Sequence, residues 1–553
     1  MSRWQRVTEL KAEPGGTPHK SFMSFKTSNA ETLPVALTPP GKVSAEPARS
    51  GSNTYGHILK SSALIGGSSV LSIALGIVRT KAMAILLGPA GMGLLGLYAS
   101  IADLARVIAG MGINTSGVRQ IAEAVGTDNT ERIGRTIVTL RRVAILLGAL
   151  GALLLVVLCQ PISKFSFGDH QHAGAIALLA LSVFFGSVSA GQLALVQGMR
   201  RIGDLARANV LGALCGTLFS IPIVWIWGKQ GIVPALVCVA ALGSLASWWF
   251  SRKIKVQAGT VRLADMSDEV SNLLKFGFVF MASGFLTMGA AYVSRIILLR
   301  NIGEAAAGFY QAAWTLGGLY VGFILQAMGA DFFPRLTAAA SDNKECNRMV
   351  NEQTEVGLLL AGPGILGTLT FAPLVIQIFY AASFTPAVEI LRWISLGMML
   401  RVASWPMGFI LLAKGARRPF FWSEVATLSL QVVMVWALVR PFGVKGAGIA
   451  FFGSYVFYWF LIYGIVRSVS GFRWNAVNRR IGLLYLSLVS VAFIGWYLPV
   501  PPLFAFAVGT ALTCFAGVYS LKRLCALAPL HRLPPAAQRL LVFFRFAPDA
   551  ERP

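Results

Sequence analysis

LIGGSSVLSIALGIVRTKAMAILLGPAGMGLLGLY occupies residues 64–98, and its reading decides the fold. An apolar run carries Arg79 and Lys81. The turn Gly88-Pro89-Ala90-Gly91-Met92-Gly93 follows, and then a second apolar run. Residues 285–310, FLTMGAAYVSRIILLRNIGEAAAGFY, repeat that order. Gly88, Ala90 and Gly93 fall on Gly303, Ala305 and Gly308 at one offset of 215, and Lys81 falls within one residue of Arg295. Each copy holds an apolar helix, a cation inside it, a small-residue turn and another apolar helix. A duplicated membrane helix of this kind is the signature of a transporter built from two repeats.

The composition around this stretch agrees. Of 553 residues, 55% are hydrophobic and 13% charged, far from a soluble globular balance. The net charge of +25 does not form a nucleic-acid patch, because the basic residues sit in short connections between apolar runs. Fourteen spans are expected: 58–87, 91–113, 138–160, 173–197, 206–227, 231–251, 273–299, 307–333, 355–380, 387–413, 419–440, 444–466, 482–498 and 503–522. Residues 114–137 are too polar to cross and read as a surface helix on the inner face.

Alternate connections are rich in Lys and Arg. Arg119, Arg132 and Arg135 fall in one, Arg200, Arg201 and Arg207 in the next of the set, and Lys414, Arg417 and Arg418 in a later one. The opposite set holds only Lys164, Lys229, Arg300, Arg440 and Lys445, about four times fewer, which puts the rich set and both termini in the cytoplasm.

The repeat runs further. Gly228 and Gly231 match Gly443 and Gly446 at offset 215, Arg200-Arg201 echo Arg417-Arg418 at 217, and Pro161 echoes Pro373 at 212. Six spans per copy is an even number, so the repeats are parallel, with a substrate path between them. The expected organisation is all-α and polytopic: a disordered tail at 1–55, a first lobe at 56–255, a second at 256–470, two further helices at 471–524 and a basic tail at 525–553 that lies on the inner leaflet.

Three stretches carry a family likeness: LLGPAGMGLLGLY after the first span, FTPAVEILRWISLGMMLRVASWPMGFILLAKG around the tenth, and FGVKGAGIAFFGSYVFYW at the twelfth. Across residues 57–470 the chain resembles the polysaccharide-unit translocases of the multidrug/oligosaccharidyl-lipid/polysaccharide exporter superfamily. Within these the likeness is to the O-antigen and enterobacterial-common-antigen types. The resemblance implies two six-helix lobes around a cationic cavity. It also implies transfer of an undecaprenyl-diphosphate-linked glycan from the inner to the outer leaflet of the bacterial cytoplasmic membrane. Membrane lipids and polysaccharide-assembly proteins such as a polymerase are the implied partners. The two extra spans resemble the arrangement in peptidoglycan-precursor flippases.

Ionisable residues inside spans are functional candidates by default. Arg401 lies at the centre of the tenth span; Asp103 and Arg106 lie three residues apart, on one face of the second. Arg79, Lys81 and Arg295 are nearer the outer ends, where they either face the cavity or snorkel to the interface. Cations outnumber carboxylates, as a diphosphate site requires, so Arg79, Lys81, Arg106, Arg295 and Arg401 are the candidate substrate ligands. Trp314, Gln311, Trp393 and Trp405 could stack on sugars or equally pack helices. Asp103 and Glu424 are candidates for H⁺ or Na⁺ coupling; Asp331, Glu352 and Glu355 are not distinguished from them by spacing.

Other chemistry is weakly supported. No cofactor is expected. His170 and His172 lack a third metal ligand, the six cysteines form no C-x-x-C pair, and no G-x-x-x-x-G-K-[ST] loop suggests ATP drive. Short outer connections argue against a membrane glycan polymerase or ligase. The remaining competitor is a multidrug or organic-cation antiporter of the same superfamily, which should present deep carboxylates; Asp103 is the chief one.

Overall fold

The computed structural model describes residues 51–126, 130–254 and 267–527. The chain divides into Met1–His57 and Ile58–Pro553. Of the first unit only 51–57 are described, as helix, and the lobes and cavities belong to the second. Of the expected tails, 1–55 and 525–553, residues 1–50 and 528–553 lie outside the described residues, and 525–527 are the end of the last described helix rather than tail.

Among the described residues the regular structure is helical. Helix α1, Gly51–Gly110, kinks at Gly88, whose φ of 63° and ψ of −174° only glycine adopts readily. Pro89 follows and has no N–H to donate, so the backbone ladder breaks where the two spans must reverse. Then come α2 (Ile113–Gly126), α3 (Thr130–Val157), α4 (Cys159–Phe167), α5 (Ala173–Gly198), α6 (Ile202–Trp227) and α7 (Ile232–Ser251). The second half holds α8 (Ser267–Asn301), α9 (Glu304–Ala338), α10 (Asn343–Thr370), α11 (Ala372–Phe379), α12 (Ala387–Ala413), α13 (Arg417–Phe442) and α14 (Lys445–Ser470). Helices α15 (Ala476–Gly495) and α16 (Pro502–Leu527) end the described chain.

Most expected spans fall on a helix or on half of one, 58–87 and 91–113 taking the two arms of α1, but 138–160 runs across the break between α3 and α4, and 355–380 across α10 and α11, which are bent by 84°. Among the described residues nine helical stretches are long and apolar enough to cross a membrane, or ten if α10 and α11, bent by 84°, form one span. Two of these stretches, Gly67–Gly110 and Ile202–Ser251, each hold two expected spans. Trp225 and Leu503 are 73% and 82% exposed, which hydrocarbon tolerates and water does not. The chain is a multi-pass membrane protein.

Three boundaries differ from expectation. Residues 51–55 are helical rather than tail. The surface helix stops at Gly126, and 130–137 instead begin α3, because Glu131 and Arg135 pair one turn apart and extend the helix beyond its apolar part. The short helix α4 is additional to the expected elements, and α11 is the outer end of the expected span 355–380, bent away from α10 by 84°. Each carries one of the repeat-related prolines, Pro161 or Pro373, in its first turn, where the missing N–H costs nothing.

The duplication is written in the backbone. Gly88 and Gly303 have φ of 63° and 120°; Arg200 and Gly415, 55° and 69°; Gly228 and Gly443, 52° and 61°. Each pair is 215 residues apart. Helices α3, α5, α6 and α7 pack among themselves, as do α9, α10, α12, α13 and α14, giving two lobes. The extra helices dock on α10. Tyr485 of α15 lies against Gly362, with its hydroxyl bonded to Ser520 of α16, and Gly509 lies against Thr370.

Candidate functional site

A cavity of about 350 Å³ inside the first lobe is lined by Arg79, Asp103 and Arg106, with Met83, Ser182 and Ser220 beside them. The arm of α1 after the kink supplies Ala99, Ala102, Asp103 and Arg106, which share one face at helical spacing. Arg106 donates to Asp103, so this pair is internally neutral. Arg79, on the arm before the kink, has no ion pair or hydrogen bond among the described residues. The cavity therefore holds one uncompensated positive charge. A second cavity of about 240 Å³, with Ser72, Ser189 and Asn209, adjoins the other side of Arg79.

The Asp103–Arg106 pair also lines a third cavity, of about 520 Å³, between the lobes. Its walls are Gly112, Asn114 and Thr115 at the start of α2, Ala144 and Leu147 of α3, and Met281, Gly284 and Met288 of α8. The pair thus stands between the interior of the first lobe and the seam with α8.

The structure divides the remaining expected cations. Arg295 is 7% exposed, with its guanidinium turned into protein rather than toward an interface. It donates to Gln311 Oε1 at 2.9 Å and to the Ala291 carbonyl at 3.1 Å, lies 5.9 Å from the Tyr310 ring centroid, and is within electrostatic reach of Asp103. Lys81 lies elsewhere. Its ammonium donates to the carbonyls of Gln377 and Ile378 at 2.6 and 2.8 Å, in the last turn of α11, where a helix leaves carbonyls unpaired and negative. Arg401 belongs to a separate group in the second lobe. It sits 5.9 Å from the Tyr455 ring centroid and interacts electrostatically with Glu424 and Tyr458. Arg79, Arg106 and Asp103 are brought together, with Arg295 behind them; Lys81 is not, and Arg401 with Glu424 forms its own cluster.

Of the residues expected near sugar, Gln311 holds Arg295. Trp314 meets Phe451 edge-on at 5.4 Å, Trp393 meets Phe493 at 4.8 Å, and Trp405 meets Phe409 at 4.4 Å. These rings pack helices. His172 accepts or donates at Nδ1 to the Tyr98 hydroxyl at 2.7 Å, and its ring stacks on Phe167 at 3.8 Å.

Sequence reasoning missed the joint between the lobes. Beside the Lys81 contact, Lys229 pairs with Glu304 at 2.8 Å, Arg300 donates to the Lys164 carbonyl, and the Ser166 and Tyr292 hydroxyls are bonded. All lie at the end of the molecule where α1 kinks and where α4 and α11 run. The signal that could have found them is the pair of echoing prolines, Pro161 and Pro373, which begin those two short helices.

Among proteins of known function, the chain is 24% identical over 423 residues to the Lipid III flippase of Escherichia coli (strain K12), covering 74% of this chain and 98% of that protein. Among solved structures, it matches "Lipid II flippase MurJ, inward closed conformation" with a TM-score of 0.63 at 14% identity, over 83% of this chain and 99% of that one. It also matches an inward-facing multidrug resistance MATE family transporter of the MOP superfamily, with a TM-score of 0.62 at 16% identity, over 72% and 95%. The two structural likenesses show the transporter fold. Residues 82–389, more than half of the chain, match the family described as polysaccharide biosynthesis protein, and to that family this chain belongs.

Proposed function

We propose that this chain is a flippase for a lipid-linked oligosaccharide: it carries an undecaprenyl-diphosphate-linked repeat unit from the inner to the outer leaflet of the cytoplasmic membrane, for surface polysaccharide of the O-antigen kind. It is a transporter and not a catalyst. The observation that carries the reading is Arg79, a cation without a partner among the described residues, lining an intramembrane cavity beside Arg106. Holding an uncompensated charge there costs at least about 2–3 kcal/mol, and an anionic substrate repays that cost. A diphosphate is such an anion, and arginine meets its oxygens through a planar fork. The likeness to the Lipid III flippase supports the same substrate class.

Arg295 supplies further positive potential behind Asp103, and Arg401 in the second lobe receives the headgroup as the lobes rock. Asp103 and Glu424, each facing an arginine, are the candidates for binding H⁺ or Na⁺, since protonating or occupying the carboxylate frees the arginine for phosphate. The joint of Lys81, Lys229 and Arg300 closes the outer side, with both termini in the cytoplasm. The antiporter reading draws on the MATE likeness but wants a free deep carboxylate, and Asp103 is already bonded to Arg106.

The test is reconstitution of the purified chain in liposomes with a labelled undecaprenyl-diphosphate glycan. Protein-dependent exposure of the label on the far leaflet is the expected result. Efflux of organic cations with no movement of the glycan would move the chain to the antiporters.

A further inference from the structure

Gln311 stands where three contacts of different kinds meet. Its Oε1 accepts from Arg295 Nε at 2.9 Å, and its Nε2 donates to the Thr315 hydroxyl at 3.2 Å. The same Oε1 lies against the first repeat: a Cβ on Gly96 would stand 2.9 Å from it, with Gln311 Cδ and Cγ at 3.2 Å. The orientation of the amide follows from this set. Arginine only donates, so the oxygen faces Arg295 and the nitrogen faces Thr315. Gly308 and Gln311 are three residues apart and share one face of α9, and Gly308 touches the backbone of Pro89 and Gly93. The amide that holds Arg295 is therefore also packed between the two repeats.

Duplication does not account for this arrangement. Gln311 corresponds to Gly96 itself at offset 215, so one repeat puts an amide at the crossing and the other leaves the space for it. The cation is poised as well. Arg295 is 7% exposed, and its hydrogen-bond acceptors are two neutral oxygens, of Gln311 and Ala291. A phosphate or carboxylate oxygen makes a stronger bond to a guanidinium than an amide oxygen does. Asp103 is within electrostatic reach of Arg295 but is bonded to Arg106. Arg106 in turn lines the cavity that holds Arg79. An anion bound there competes with Asp103 for Arg106. Either the anion or the released carboxylate then draws Arg295 away from Gln311.

We propose that Gln311 is a positioning residue that reports the bound anion to the outer side of the molecule: while Arg295 is bonded to it, the amide stays seated on Gly96 and the outer side is shut, and loss of Arg295 to an anionic acceptor unseats it. This rests on the flippase reading and says how the substrate starts the opening. Without Arg295, the Gln311 oxygen is an acceptor pressed against backbone with no donor. Leaving a packed acceptor unpaired costs more than its bond contributed, so a contact that held the repeats together now pushes them apart. The joint of Lys81, Lys229 and Arg300 lies at the same end. Its Lys229–Glu304 pair is half-exposed and too weak to hold the lobes by itself.

The experiment uses the full chain in lipid nanodiscs, in a background without reactive native cysteines. Spin labels are placed at the exposed positions Gln230 and Thr385, one on each lobe. The distance between them is followed as undecaprenyl diphosphate is added, and binding of the same lipid is measured separately. In the wild type the distance is expected to lengthen as the lipid binds, and not to change with undecaprenol, which lacks the diphosphate. Gln311→Glu gives Arg295 a charged acceptor, so the same lengthening should need about tenfold more lipid. Gln311→Leu removes the bond, and Gly96→Ala presses on the amide from the other side; both should show the long distance before lipid is added. A residue that only packs helices would change the unfolding temperature and leave the dependence on lipid as it is. Wild-type dependence in Gln311→Glu and in whichever of the other two variants folds overturns the proposal and leaves the flippase reading standing. So does lengthening with undecaprenol, or binding of the diphosphate lipid by the wild type with no lengthening. A wild type that does not bind undecaprenyl diphosphate overturns both.

Discussion

Gly93 and Gly308 face each other across the two repeats. A Cβ on Gly93 would lie 2.1 Å from the Glu304 carbonyl oxygen, and one on Gly308 would lie 1.9 Å from the Pro89 carbonyl oxygen. The relation is reciprocal, since 93 and 308, like 89 and 304, are 215 apart. Gly96 and Gln311, also repeat partners, meet one turn further on. A pseudo-two-fold axis therefore runs between the second arm of α1 and α9, as a parallel duplication requires.

This contact makes a matched pair of predictions. Gly93→Ala and Gly308→Ala should each force the same backbone apart, at about 1–3 kcal/mol each. Thermal unfolding of the purified variants is expected to show comparable drops, both well beyond that of Gly110→Ala, where a Cβ meets nothing within 4 Å. A large drop in only one of the two would contradict the reciprocal packing.

The contacts that surround the axis should differ in weight. Lys229–Glu304 is a half-exposed ion pair, with side chains 55% and 39% accessible, and such pairs contribute about 0–1 kcal/mol. Lys229→Gln should leave transport within about threefold of wild type. Lys81 bonds two carbonyls of one helix end, and Lys81→Met strips both of their donor. It should loosen the joint, read as a greater distance between spin labels placed at Phe165 and Ile302. An unchanged distance in Lys81→Met, with a large change in Lys229→Gln, would reverse the assignment.

Most of the fold was legible because periodicity and length are local. The expected 387–413 coincides with α12, and the glycines that mark the repeat take the backbone conformations that made glycine necessary there. The site was legible only in kind. Arg79, Lys81 and Arg295 sit at similar depth in the sequence pattern, yet one is unpartnered in a cavity, one clasps a helix end and one is buried on Gln311. What separates them is tertiary: α11 bends back by 84° to reach Lys81, and Gln311 of α9 comes to Arg295 from about two turns past the Gly303 break. Neither the bend nor the break points at a partner until the helices are assembled.

Orientation is checked independently of the site. In a background without reactive native cysteines, single cysteines at the exposed positions Gly168, Gln230 and Thr385 are expected to react with an impermeant maleimide added outside. Cysteines at the exposed positions Gly415 and Ser468 should react only after the membrane is opened. Outside labelling at Gly415 would invert the molecule and, with it, the direction assigned to transport.

The sharpest test sets function against stability at Arg79. Its charge has no partner among the described residues, so Arg79→Gln removes a cost and no bond. The variant should express normally and unfold at the same temperature as wild type or higher. It should nonetheless fail to restore surface polysaccharide to a strain lacking its own flippase, because the diphosphate would leave water without compensation. Arg79→Lys keeps the charge but loses the two-pronged geometry, so partial rescue is expected. Arg295→Gln should behave differently: it abandons the bond to Gln311 in a buried place, so stability and transport should fall together. Arg401→Gln leaves Glu424 facing apolar surroundings and should abolish transport if the second lobe takes the headgroup. Blots of membrane fractions separate lost protein from lost activity. If Arg79→Gln and Arg401→Gln are both well expressed and both restore polysaccharide, the cationic cavity does not carry the substrate. Asp103, bonded to Arg106 between two cavities, would then be the residue on which to rebuild the mechanism.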